Sequence, residues 1–387
     1  MVTRSLPFHR TGGMEAVAWD LARAFVRRGA RVEVLTTSSE NLPARSNIDG
    51  VEVRTLPAPS GRYSMKWWWL SRCVYFKEYV DTVDVVFSVS AGALGFAGGR
   101  HSRRSTFVAQ MHGTAWGEFV SKMRQRSLWA CLKSLRNIAW MFRDLRYRYF
   151  DAFVAVGPAV SNDMLSFPTR AIMGPAPALT ISNGIDSERF AFDQDARQRI
   201  RHLLGIDEKS RVLISASRLH PQKGILEGLR AFAGAADGDP MLRYIVVGDG
   251  PDARRLKEAA DALGVTSKVY FIGRIERDLL AEYLSAADVF LFSTTRVEGL
   301  PMNVLEAIAA GLPVIVSAHV ADPRFESVVV DPKDHLAMVK AIETTRPATN
   351  RASKLSEEFT LYYSADAYLS LFAELQSRRT SAAGDAV

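Results

Sequence analysis

The sequence predicts an α/β protein made of two doubly wound parallel-sheet domains. Short β-rich runs alternate with helix-length stretches along the whole chain. The alternation breaks at a turn near residue 187 and restarts after a polar helical stretch. The 387 residues also exceed one ordinary core, at roughly 150 residues per domain.

In the first half the expected strands are Arg31–Thr36, Val51–Leu56, Asp84–Val89, Thr106–Met111 and Asp151–Val156, with Leu179–Ser182 the last before the turn Asn183–Asp186. Helices are expected at Met14–Arg28, Lys66–Val80, Trp116–Tyr149 and Pro158–Phe167. Met1–Arg4 leads straight into a loop, so the first strand is cut short against the usual five or six residues. In the second half the strands are Arg211–Ala216, Leu242–Val247, Lys268–Ile272, Asp288–Phe292, Pro313–Ser317 and Val328–Val330. The helices are Gln194–Leu204, Ile225–Ala235, Arg254–Leu263, Asp278–Ala286, Pro301–Ala310 and Asp334–Thr345. Apolar runs bounded by glycine and polar turns suit strands covered on both faces. Residues 1–187 are read as the first domain and 188–357 as the second. Residues 358–375 form a helix docked on the first domain, and 376–387 a disordered tail rich in Arg, Ser, Ala and Gly.

Composition excludes several classes. Hydrophobic residues make up 48% and charged residues 24%, which sets aside bulk disorder and collagen. Two cysteines, Cys73 and Cys131, cannot build a disulfide framework or a cysteine zinc site. No uncharged run reaches the roughly 18 residues of a membrane span, and no apolar leader opens the chain. The net charge of +7 is uneven: residues 1–190 carry +10 and the remainder −3. The basic half should meet something anionic. Its sharpest stretch, Lys122–Arg148, holds eight basic side chains and one acid, with Trp129 and Trp140 interleaved. A solvated helix and an anionic bilayer contact both fit it; nucleic acid fits least, since no reading module accompanies the charge. Trp67, Trp68 and Trp69 would point three ways on a helix, so at least one should face outward.

The chemistry-bearing residues cluster in loops after strands, where open parallel sheets bind ligands. Gly12 and Gly13 precede the first helix and let backbone N–H groups approach an anion. His112, followed by Gly113, ends the strand Thr106–Met111. In the second half, Arg218 and Lys223 share one loop before a helix, a pattern that can grip a diphosphate or stand as a solvated basic loop. Gly248 opens the next loop, Gly248-Asp249-Gly250-Pro251, tight and open enough to border a nucleotide base. Glu298-Gly299-Leu300-Pro301 leads into a helix carrying Glu306. The two carboxylates should lie about ten ångströms apart, enough to hold two separate sets of hydroxyls, with the Gly299 and Leu300 N–H groups between them. No metal cluster, nucleophile elbow or dinucleotide fingerprint is present in the sequence pattern.

Taken together, these loops resemble those of glycosyltransferase family 4, the nucleotide-sugar-dependent retaining enzymes of the GT-B fold. The resemblance spans roughly residues 2–375. Gly12-Gly13-Met14-Glu15 resembles the family's glycine loop, and His112-Gly113 its active-site histidine loop. Ser182–Asp186 is similar to the interdomain signature, Arg218 and Lys223-Gly224 to the diphosphate-binding pair, and Glu298 to Glu306 to the Glu-x7-Glu motif. The segment Ser317–Pro323 departs from the family's glycine-containing loop.

The resemblance implies two Rossmann-like domains facing across a cleft and transfer of a sugar from a nucleoside diphosphate, UDP- or GDP-linked, with retained configuration. It implies catalytic roles for His112, Arg218, Lys223 and Glu298, and donor contacts from Gly12, Gly13, Gly248, Gly299, Leu300 and Glu306. Glu298 would face the transferred sugar and Glu306 the ribose. No cofactor or metal ion is expected, because the basic pair neutralises the diphosphate. The expected acceptor is a glycan, lipid-linked, in cell-surface polysaccharide or lipopolysaccharide synthesis. The protein is then expected in the cytoplasm, peripheral on the anionic inner face of the membrane, without nucleic acid. A soluble acceptor, an epimerase or hydrolase acting on donor alone, and a non-catalytic nucleotide or polyanion-binding protein are the alternatives.

Overall fold

The computed structural model describes the chain except for residues 10–11, 41, 99–104, 118, 120–142, 297–299, 319 and 385–387. The chain forms two compact units: Met1–Gly184 with Leu361–Val387, and Ile185–Thr360.

The first unit contains β1 (Glu33–Thr37), β2 (Arg45–Ile48), β3 (Val51–Leu56), β4 (Val85–Val89), β5 (Thr106–Met111), β6 (Ala152–Ala155) and β7 (Ala178–Thr180). They run in the orders β1-β3-β2 and β4-β5-β6-β7. The short N-terminal segment joins the two sets. Val2 bridges in parallel to Leu35 of β1 and Ser88 of β4. Its N–H donates to Phe87 O at 2.8 Å and its carbonyl accepts from Val89 N at 3.0 Å. The helices are α1 (Gly13–Arg27), α2 (Met65–Val74), α3 (Pro158–Leu165) and α4 (Thr169–Met173). Trp67 is fully buried, its indole N–H donating to Gly92 O at 3.2 Å. Trp68 stacks on Tyr63, and Trp69 is 64% exposed. Most of the basic stretch Lys122–Arg148 lies outside the described residues.

The second unit is an all-parallel sheet of β8 (Arg211–Ala216), β9 (Leu242–Val247), β10 (Val269–Gly273), β11 (Val289–Phe292), β12 (Val314–Ser317) and β13 (Val328–Val330). Its order is β10-β9-β8-β11-β12-β13, which counted from its first strand reads 3-2-1-4-5-6. Every residue of β11 and β12 is buried, as strands covered on both faces require. Its helices are α5 (Gln194–Leu204), α6 (Ile225–Gly238), α7 (Ala253–Ala262), α8 (Arg277–Ala286), α9 (Met302–Ala309) and α10 (His335–Thr344). Asp193 caps α5 by accepting from Asp195 and Ala196 N–H, and Gly205 ends it at φ +63°.

The last helix, α11 (Leu361–Gly384), packs on α1 and β5 of the first unit. Tyr368 and Phe372 meet Phe87 and Phe25, and Arg28 grips Asp366 through two bonds of 2.6 and 2.8 Å. Disorder was expected from residue 376, and here the structure differs: the helix continues to Gly384. Its polar composition is offset by an Arg378–Glu374 pair one turn apart and by Arg379, which donates to Ser105 O and reaches Asp151. Residues 385–387 of that tail lie outside the described residues. No helix among the described residues is long and apolar enough to cross a membrane.

Candidate active site

In the second unit the strand order reverses at β8, which has β9 on one side and β11 on the other. Ligands of open parallel sheets bind outside the carboxyl ends of the strands at such a point. The loop leaving β8, residues 217–224, is held from both sides. Toward β9, Leu219 N donates to Asp249 O at 3.0 Å and Asp252 N donates to Leu219 O at 3.1 Å. Toward β11, Ser293 Oγ donates to Gly224 O at 2.7 Å, and Thr294 Oγ1 and Thr295 N both donate to Gln222 O at 3.0 Å. The approach is so close that glycine is required at two points. At Gly224 (φ +66°) a Cβ would run into Ser293 O, and at Gly248 (φ +131°) into Ser217 O.

This rigid loop presents the two expected cations. Arg218 is exposed, and among the described residues its guanidinium makes no hydrogen bond or ion pair. Lys223 is half-buried, its Nζ 5.4 Å from the centroid of the Phe292 ring. Directly after Lys223, α6 starts at Ile225 with no side-chain cap, so its first N–H groups add positive potential beside the lysine. Gly248 lies in the neighbouring loop. The structure thus brings Arg218, Lys223 and Gly248 together at the switch point.

The β11 loop holds Glu298 and Gly299, which lie outside the described residues. Leu300 is half-buried against the core, and Pro301 is the N-cap of α9. Asn303 Nδ2 donates to Ala216 O at 2.6 Å, tying the start of α9 to the end of β8. Glu306, in the second turn, is 6% exposed. Its Oε1 accepts from Arg277 Nη2 at 2.6 Å, and the Arg277 guanidinium lies 5.2 Å from the centroid of buried Phe190. Arg277 and Phe190 were not singled out in the sequence. The available signal was a cation directly before the expected helix Asp278–Ala286, at the electrostatically wrong end.

In the first unit, His112 follows β5 and is half-buried. Its Nε2 lies 3.0 Å from Gln110 Oε1, and the Gln110 amide donates to Tyr368 OH at 3.1 Å. Gln110 Oε1 can only accept, so His112 carries its proton on Nε2 and Nδ1 is an acceptor. Burial pushes the imidazole pKa down to about 4, with Glu15 opposing and Arg4 assisting, so it is neutral near pH 7. Gly12 is the extended N-cap of α1 and Gly13 its first residue. A Cβ on Gly12 would run into the Glu15 carboxylate, which accepts from Ser5 Oγ at 2.7 Å. A protein carboxylate therefore already sits beside this glycine pair. Nearby, Phe8, His9, Ser38, Ser39, Glu40 and Ser60 line a cavity of about 450 Å³ at the carboxyl end of β1. Among the described residues no group of three or more His, Cys, Asp or Glu side chains is placed to hold a metal ion.

Residues 11–189 match the family profile described as Glycosyltransferase Family 4, and residues 196–357 that described as Glycosyl transferases group 1. The chain is 28% identical over 287 residues to a GDP-mannose-dependent alpha-(1-6)-phosphatidylinositol monomannoside mannosyltransferase of Mycolicibacterium smegmatis, covering 70% of each. It is 35% identical over 155 residues to an alpha-monoglucosyldiacylglycerol synthase of Streptococcus pneumoniae, covering 39% of this chain and 34% of that protein. Sucrose-phosphate synthase of Thermosynechococcus elongatus superposes with a TM-score of 0.71 at 18% identity, over 98% of this chain and 96% of that one.

Proposed function

The chain belongs to the glycosyltransferases of family 4, with the GT-B fold, and from that premise we propose that it moves a sugar from a nucleoside diphosphate to a lipid-linked glycan with retained configuration. The observation that carries the donor reading is the loop of residues 217–224, pinned between its neighbours and presenting Arg218 and Lys223 beside the start of α6.

In the proposed reaction the bond from the anomeric carbon to the diphosphate oxygen breaks, and charge gathers on the leaving diphosphate. Arg218, Lys223 and the α6 N–H groups stabilise that charge as it develops. The acceptor oxygen attacks the same face of the sugar, forming the new glycosidic bond, and its proton passes to the departing phosphate. The products are the glycoside and a nucleoside diphosphate. Glu306 binds the ribose, and Glu298 accepts hydrogen bonds from hydroxyls of the transferred sugar. The Arg218–Lys223 pair supplies the countercharge, so no divalent ion is required.

A screen of UDP-, GDP-, ADP- and TDP-sugars, with and without EDTA, tests this. One nucleotide class should bind and transfer, with full turnover in EDTA. Turnover that EDTA abolishes and magnesium restores would contradict the metal-independent reading, and conversion of donor alone into an epimer would contradict acceptor transfer.

The lipid-linked acceptor is supported by three features. The first half carries the basic excess. On α2, Met65 (78% exposed), Trp69 and Arg72 recur at one-turn spacing with Lys66 beside them, an apolar and basic mixture suited to an anionic bilayer interface. Both curated relatives named above act, by name, on lipid-borne groups. The cavity beside Phe8 and Glu40 offers an aromatic ring, hydroxyls and a carboxylate to an acceptor sugar. Binding to phosphatidylglycerol vesicles is expected at low salt, released at about 0.5 M salt, and weakened severalfold by Trp69→Ser. Absence of vesicle binding at low salt would favour a soluble acceptor instead.

A further inference from the structure

We propose that Arg277 is a positioning residue for the nucleoside: it holds one oxygen of Glu306 so that the other is aimed at the ribose hydroxyls. The proposal rests on the reading of Glu306 as the ribose contact.

Glu306 projects from the second turn of α9 with three rotatable side-chain bonds, and a free glutamate there would sample several rotamers. Among the described residues its side chain makes one hydrogen bond, to Arg277 Nη2 through Oε1 at 2.6 Å. Oε2 keeps its lone pairs for two O–H donors on a ribose. Arg277 is itself fixed on a second side, with Phe190, 0% exposed, 5.2 Å from its guanidinium carbon. Phe190 is held in turn by its N–H to Asp186 O at 3.3 Å. Ring, guanidinium and carboxylate thus lie in series, each beside the next.

The placement of Arg277 argues against a purely helical role. It is the first residue of α8, where the helix dipole disfavours a cation, and the N-cap Glu276 makes no side-chain cap bond. The dipole of α8 gains nothing from an arginine there. Glu306 gains both an orientation and a countercharge. The countercharge matters because an unpaired buried carboxylate would repel the diphosphate that Arg218 and Lys223 are placed to receive.

The test compares binding of the ribonucleoside diphosphate preferred in the donor screen with its 2′-deoxy and 3′-deoxy forms by calorimetry. The wild-type protein should prefer the ribose form by about tenfold or more, the size of one well-made hydrogen bond to a charged group. Glu306→Gln and Arg277→Met should each shrink that ratio to about twofold, and the double variant should shrink it no further, because the two act as one unit. Arg277→Lys should restore part of it. Arg277→Met leaves the buried Glu306 carboxylate without its partner, so its melting temperature should fall, and the titrations are run well below the melting temperature of every variant; Arg277→Gln, neutral but polar, replaces it if it does not fold, with the same expected loss of the ratio. Loss of the ratio in Glu306→Gln but not in the Arg277 variants would show that Arg277 only fastens α8 to α9, and overturns the proposal. An unchanged ratio in Glu306→Gln would instead remove the ribose reading of Glu306, and the proposal with it.

Discussion

Replacing Arg218 with alanine should lower kcat/KM by about 100- to 1000-fold while leaving the melting temperature unchanged, the loss expected for one donor aimed at developing negative charge. The fold does not depend on this side chain. It is exposed and, among the described residues, makes no hydrogen bond or ion pair. Its value lies in what it can offer a ligand, so activity and stability should separate cleanly. Arg218→Lys should recover only part of the rate, because an ammonium cannot span two phosphate oxygens as a guanidinium does. A fall confined to KM, with kcat intact, would mean that Arg218 grips the donor equally in ground and transition states. Activity within about threefold of wild type would remove it from the diphosphate site altogether.

The second large effect concerns stability. Asp288, 5% exposed, accepts from Arg197 and Arg201 at 2.8 Å each and from Val212 N at 2.8 Å. Arg201 is wholly buried and also donates to Ala286 O. Arg351 packs nearby, donating to Leu284, Ala287 and Ala310 carbonyls. Burial, assisted by Arg197 and Arg201 and opposed by Asp288, pushes the Arg351 pKa down to about 10. One buried carboxylate therefore pairs with two of the three guanidinium groups that converge around the end of α8. Asp288→Ala should cost about 3–5 kcal/mol, the penalty for leaving a buried charge without its partner. In calorimetry the melting temperature should fall by about 10 °C. A shift of less than about 2 °C would show that water or backbone carbonyls already balance these arginines.

The parallel core was readable because its inner strands are buried on both faces, so that Arg211–Ala216 and Leu242–Val247 appear as apolar runs with the observed bounds. β2 was missed for the opposite reason. Arg-Ser-Asn-Ile is a polar edge strand, paired antiparallel to β3 and exposed on alternate residues. Its legible mark was the turn Asp49-Gly50, with φ of 53° and 80°, a two-residue hairpin signal. The helix beyond residue 376 was misread because composition does not report an anchor such as Arg379 to the first unit.

The site was readable where chemistry and chain direction coincide. Arg218 and Lys223 sit in one loop after one strand, and the structure places that loop at the reversal of strand order. The partners Arg277 and Phe190 come from separate elements 29 and 116 positions from Glu306, a proximity that no local pattern encodes. The Glu15 carboxylate beside Gly12 was equally hidden, since the rotamer that folds it back over its own helix start is a tertiary choice.

The most direct measurement is calorimetric titration with the nucleoside and its diphosphate, on the wild-type protein and on an Arg218→Ala, Lys223→Ala double variant. The diphosphate should bind the wild-type protein at least about 100-fold more tightly than the nucleoside, and the double variant should lose most of that margin while keeping its nucleoside affinity. Equal affinity for nucleoside and diphosphate in the wild-type protein, or an undiminished margin in the double variant, would contradict the assignment of this loop to the leaving group.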